Sequence, residues 1–148
     1  MPPVFVQGLG WWSTAWPAWP LAAAALRGEV IEPAAPAVRR PSPARLSANE
    51  RRRAPDSVLM ALQVAEAACA AAGADAATLP SVFTSAHGDL AIVDALCRTL
   101  ADDPLLLSPT RFHHSVHNAA SGYWAIGARN HAASTALAAD AHGFAVGW

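Results

Sequence analysis

The chain has 148 residues, 53% hydrophobic and 14% charged, with a formal net charge of -1, which suits one domain with a real core and excludes a disordered or collagen-like chain. There is no lysine and all ten cations are arginine, so the near-neutral balance gives no overall attraction to nucleic acid or to an anionic membrane. No apolar run approaches the roughly 18 residues of a membrane span, so no membrane insertion is expected.

Residues 1–13, "MPPVFVQGLGWWS", lack the basic start and long apolar stretch of a secretion signal. The two cysteines, Cys69 and Cys97, form no CxxC. A reducing cytoplasm is the expected location, with neither a disulfide framework nor a structural zinc site. Val4 to Val6 is β-branched and aromatic and stops at Gly8-Leu9-Gly10, which predicts a first strand and a tight turn. A dinucleotide-binding reading of that turn fails, because Ser13 holds the third glycine position and Trp11 and Trp12 stand where backbone must approach a pyrophosphate. The plainer reading is a glycine turn that lets Trp11, Trp12, Trp16 and Trp19 pack over the sheet edge.

Residues 32–55 hold five prolines and six arginines and predict a surface loop inside the domain. Its Arg39, Arg40, Arg45, Arg51, Arg52 and Arg53 have no interleaved aromatics for nucleic-acid stacking. They read as a solvated stretch, with docking of an acidic partner as the other reading. Asp56 or Ser57 then caps a helix in which Val58, Leu62, Ala65 and Cys69 recur at helical spacing, ending at Gly73. "SVFTSA" predicts a short buried strand, Ser81 to Ser85. Gly88-Asp89 opens a second helix with Ile92, Val93, Leu96 and Leu100 inward.

"RFHHSVHNAASGYWAI", residues 111–126, places three of the six histidines within five positions. His113 and His117 stand four apart, so on a helix both imidazoles share one face, as helical zinc ligands do. A third ligand has to come from His87, Asp89, His131 or His142 on separate elements without a recognised pattern. Capping and hydrogen bonding is therefore the plainer role, and a small metal-binding module on His113 and His117 the alternative.

Asn118 to Arg129, with Ala119, Ala120, Ser121 and Gly122, predicts a helix packed closely against a neighbour. "AASTALAAD" predicts a strand, Ala132 to Thr135, and a turn, and Asp140 a last helix running to Trp148. Strands alternating with helices imply an α/β fold with at least part of the sheet parallel. No serine, cysteine or lysine sits in a recognised nucleophile motif, and both cysteines fall on apolar helical faces, as buried inert thiols do.

Four stretches, in this order and spacing, resemble the N-terminal half of the β-ketoacyl synthases of the thiolase superfamily. "VFVQGLGWWS" is similar to their first strand and glycine turn. "RRRAPDSVLMALQVAEAACAAAG" is similar to their first long helix and "SVFTSAHGDL" to the second strand with its turn. "SVHNAASGYWAI" followed by "STALAAD" resembles the segment leading to the nucleophile turn. The resemblance is nearest to the short chain-length-factor-like group of aryl polyene and related polyketide pathways. It implies a thiolase-like half-domain over residues 1–148, incomplete at its C-terminus, with a mixed, mainly parallel sheet and helices on both faces.

In active members the nucleophilic cysteine lies in a Thr-Ala-Cys-Ala turn. The matching residues here are Thr135-Ala136-Leu137-Ala138, and a leucine side chain has no lone pair with which to attack a thioester. The family's two donor-activating histidines come from its C-terminal half, so none of the six here takes those roles. The resemblance thus implies no catalytic residue in this chain, no cofactor and no metal. It implies a silent subunit that pairs with an active ketosynthase and meets an acyl carrier protein in fatty acid or polyketide biosynthesis, as a homo- or hetero-oligomer. Phe112, Asn118, Gly122, Tyr123 and Trp124 are expected near the acyl channel and subunit interface, and Arg39, Arg40 and Arg45 at carrier-protein docking. An acyltransferase or decarboxylase of the same family, using another group, is the enzymatic alternative.

Overall fold

The longest helix organises the fold. In a computed structural model, which describes residues 3–29, 31–32 and 40–147, the helices α1 (Trp19–Leu26), α2 (Ala48–Arg53) and α3 (Asp56–Ala72) precede the strand β1 (Ser81–Thr84). Then come α4 (Leu90–Asp102), a 3₁₀ turn at Pro104–Leu106, α5 (Pro109–His114), α6 (Ala119–Ala128), β2 (Ser134–Leu137), a 3₁₀ turn at Asp140–His142, and α7 (Gly143–Gly147). This is an α/β arrangement of thiolase-like half-domain type.

Helix α3 ends as its glycine predicts: Gly73 takes the left-handed conformation, φ 62°, and its N–H and that of Ala74 close onto the carbonyls of the last turn. Its start differs from expectation. Pro55 is the N-cap and offers no side-chain cap, because Asp56 is drawn to Arg40 at 2.6 Å and the Ser57 hydroxyl donates to Asp89 at 2.8 Å. Val58, Leu59 and Leu62 of α3 join Leu46, Ala54, Ala76, Ala119, Trp124 and Ala128 in one core. Helices α3 and α6 pack directly on each other.

Among the described residues the sheet has two strands, β1 and β2, paired in parallel with Ser81 opposite Ser134 and Thr84 opposite Leu137. A strand's side chains alternate between faces. Phe83 meets Trp124 of α6 edge-on at 6.4 Å, while a Cβ on Gly143 or Gly147 of α7 would meet Thr84 on the other side. Helices therefore cover both faces. Val82 remains 50% exposed, so β1 is half-buried rather than a fully buried strand.

Several sequence expectations are corrected here. Val4 to Val6 forms no strand, and Phe5 is 76% exposed. Strand structure needs a paired neighbour, and the adjoining chain is instead seated on a helix. A Cβ at Gly8 would lie 2.5 Å from the carbonyl oxygen of Ala68, and one at Gly10 only 1.9 Å from that of Val64. Only glycine permits this approach to the backbone of α3.

In the predicted loop 32–55, residues 33–39 lie outside the described residues, and the rest is packed and partly helical. A reciprocal pair of bonds between Ser47 and Glu50 caps α2. Pro41, Pro43 and Leu46 are buried, and Gln63 and Glu66 of α3 accept from the backbone N–H groups of Ser42, Ala44 and Arg45. Within α4 only Leu96 is buried, while Val93 and Leu100 stay exposed, since this helix packs mainly on α5 and the turn that follows it. Asp140 opens a 3₁₀ turn rather than a helix, with φ 46°.

Candidate functional site

The segment seated by Gly10, the face of α3 and the strand β1 enclose a cavity of about 870 Å³, within the range of small-molecule sites. Trp11, Trp12, Val64, Phe83 and Trp124 supply apolar walls, and Cys69 of α3 also borders it. Its polar end is formed by Ser57, Asp89, His114 and His117.

Each polar group is held by its own element. Asp89 is the N-cap of α4: Oδ1 accepts from the Ile92 N–H at 3.0 Å while Oδ2 accepts from the Ser57 hydroxyl. This carboxylate therefore ties the start of α3 to the start of α4. His114 is the last residue of α5 and is buried, with Nε2 2.9 Å from the Tyr123 hydroxyl of α6. Burial pushes the His114 pKa down, helped by the charge of His113 and opposed by Asp89. Burial likewise raises the Tyr123 pKa, with Glu50 adding to the rise and Arg53 opposing it. The cavity thus presents the His114 imidazole, backed by the Tyr123 hydroxyl, beside a fixed carboxylate. Gly88, at φ 65°, turns the chain ahead of Asp89 and leaves its open side 3.6 Å from the His117 ring.

Leu137 lies elsewhere. It is the last residue of β2, half-buried, and its carbonyl accepts from the Ser85 N–H at 3.1 Å. The turn through Ala138 and Ala139 follows immediately. It therefore stands where β2 ends, ahead of the 3₁₀ turn at Asp140–His142, and it does not line the cavity.

Of the residues expected near an acyl channel and interface, only Trp124 reaches the cavity. Trp124 is 3% exposed and belongs to the core, so it supplies no interface area, and Tyr123 is turned inward to His114. Phe112, Asn118 and Gly122 are exposed, and a Cβ on Gly122 would meet nothing. The apolar surface beside Gly122 comes from Ile126, 68% exposed.

The basic residues are less free than a solvated loop requires. Arg40 pairs with Asp56 and donates to the Ala54 carbonyl at 2.8 Å. Arg45 lies over the Trp124 ring, 5.9 Å from its centroid. Arg39 falls outside the described residues. His113 and His117 do not share a helical face, because α5 ends at His114 and Ser115 closes it. Among the described residues no three His, Cys, Asp or Glu side chains converge as a metal-binding group. Cys97 is exposed and Cys69 half-buried, so neither is the fully buried thiol expected.

The polar end of the cavity was not legible as a site. His114 is hidden between two histidines at helix-like spacing, and Asp89 reads as a helix start or a third metal ligand. Their convergence with Ser57 depends on packing across distant positions.

Among the described residues no helix is long and apolar enough to cross a membrane. The sequence pattern of one family, described as "Beta-ketoacyl synthase, N-terminal domain", matches residues 16–148. No curated protein matches the chain.

Proposed function

The chain belongs to the β-ketoacyl synthase N-terminal-domain family, and from that premise we propose that it is a catalytically silent subunit of chain-length-factor type. It pairs with an active ketosynthase and meets acyl carrier protein in the cytoplasm during fatty acid or polyketide biosynthesis, of which aryl polyene pathways are the nearest kind. The carrying observation is Leu137 at the end of β2, where the strand turns. This position matches the family nucleophile, and an aliphatic side chain there cannot form the covalent acyl intermediate. The exposed line of Asn118, Gly122 and Ile126 on α6 is the surface offered to the ketosynthase, and Phe112 adds exposed apolar area from α5. Arg40 and Arg45 contribute positive charge for a carrier protein.

The test is direct. The chain is incubated with acyl-carrier-protein thioesters and its intact mass measured, and it is co-expressed with a neighbouring ketosynthase and purified. An unchanged mass with stoichiometric co-purification is expected.

One observation favours a second reading, acyl transfer without the usual cysteine: Cys69 borders the cavity whose polar end holds His114 and Asp89. A stable acyl adduct mapped to Cys69 would replace the silent-subunit reading with this one.

A further inference from the structure

A second depression, of about 290 Å³, shares no residue with the cavity and is bordered by Arg40, Pro41, Ser42, Ala48, Arg51 and Arg52. Among the described residues, three arginines and one serine border it and no acidic residue does. We propose that it is a binding site for a phosphate dianion, taken up free or as a small phosphomonoester.

Each of the three guanidinium groups is anchored by acceptors of the chain. Arg40 uses Nε on Asp56 and one Nη2 bond on the Ala54 carbonyl. Arg51 uses Nη1 on the carbonyls of Pro43 and Leu46, and Arg52 uses Nη2 on Asn49. A guanidinium carries five N–H donors in a rigid fork, so each retains donors for a ligand while its position is set. Pre-set donors lower the ordering cost of binding.

Charge favours a dianion over a monoanion. Three arginines border the depression, against the carboxylates of Asp56, paired to Arg40, and Glu50, in the cap of α2, so the local balance is positive by one. Glu50, the nearby acid of α2, is committed to its cap, and its hydrogen bonds with Ser47 hold its carboxyl below the usual range. Planar forks suit tetrahedral phosphate oxygens, and the Ser42 hydroxyl adds a donor at the rim.

The experiment titrates the full chain by calorimetry with inorganic phosphate, phenyl phosphate and acetate at constant ionic strength. Saturable one-to-one binding of phosphate is expected, with acetate about tenfold weaker or worse. Arg52→Gln should weaken phosphate about fivefold, the scale of one partly exposed charged contact. Arg111→Gln, on α5, should leave binding unchanged. Affinity for phenyl phosphate should rise between pH 5.5 and 8 as the monoester loses its second proton, whose pKa is about 6. Tighter binding of phenyl phosphate than of phosphate assigns the monoester as ligand, and the reverse assigns the free ion. Ser42→Ala gives a second readout, a smaller loss, should Arg52→Gln disturb α2. Equal weakening by Arg52→Gln and Arg111→Gln, or acetate binding as well as phosphate, overturns the proposal in favour of general surface charge. So does the absence of saturable binding.

Discussion

The side-chain amide of Asn130 holds the carbonyl of Ala76, 54 positions away, at 2.6 Å, and that of Leu79 at 2.8 Å, while its own oxygen accepts from the Ala132 N–H at 2.7 Å. One buried residue thereby joins the exit of α6 to the approach to β1 and the approach to β2. Arg129 makes this possible by ending α6 in the left-handed conformation, φ 51°. Asn130→Ala leaves a buried carbonyl without a partner and is expected to cost about 2 kcal/mol. Urea unfolding, with an unchanged slope and a lowered midpoint, measures it. A loss below a few tenths would mean that water replaces the amide.

Gly10→Ala is expected to destabilise more than Gly28→Ala. At Gly10 an added Cβ would overlap the Val64 carbonyl at 1.9 Å, whereas nothing lies near Gly28, where the cost is its positive φ of 82° alone. The Gly10 change should also lift Trp11 and Trp12 away from α3. A red shift in tryptophan emission together with the lower midpoint checks both effects.

Stability is expected to fall as pH drops below the ordinary histidine value near 6.5, because burial lowers the His114 pKa in the folded chain. The unfolded chain then binds the proton more readily, so this contribution is complete above the unfolded pKa and is lost on acidification through the folded one. His114→Asn should flatten that slope, while His131→Asn, at an exposed position, should not. Thermal midpoints between pH 5 and 8 decide the matter, and identical slopes would count against the assignment.

Leu137→Cys is expected to yield no condensation by the isolated chain. A thiol at the end of β2 supplies a nucleophile, yet the cavity with its imidazole and carboxylate is lined by other residues, and catalysis depends on reacting groups being held together. Acylation of the new cysteine is the most that intact-mass measurement should record. Turnover of malonyl and acyl thioesters would show that the chain already holds the donor-activating groups.

Association is expected through the exposed line of α6, either between copies or with a ketosynthase. Gly122→Trp fills open space, so it should leave the fold intact and weaken association about tenfold or more by overpacking the contact. Gln substitutions at Arg39 or Arg40 should leave association unchanged. Sedimentation of the chain and co-purification with the ketosynthase are the measurements. Loss of assembly in the arginine variants alone would move the interface to the basic segment.

Local chemistry alone determined much of this protein. Val58, Leu62 and Cys69 at helical spacing before Gly73, the Asp89 cap of the next helix, and the short strands "SVFT" and "STAL" are encoded by neighbouring residues. They formed within a residue or two of where periodicity and capping place them. The family pattern was equally legible because it rests on order and spacing along the chain.

Only the tertiary structure decided which elements meet. Val4 to Val6 has strand chemistry but no paired neighbour, because Gly8 and Gly10 commit the adjoining chain to α3. The proline-rich stretch packs because Gln63 and Glu66, about twenty positions on, satisfy its backbone. Asp89, Ser57 and His114 share a cavity for the same kind of reason. Hydrogen bonds between distant residues and the burial of one face against another are properties of the folded chain, and no local window of sequence contains them.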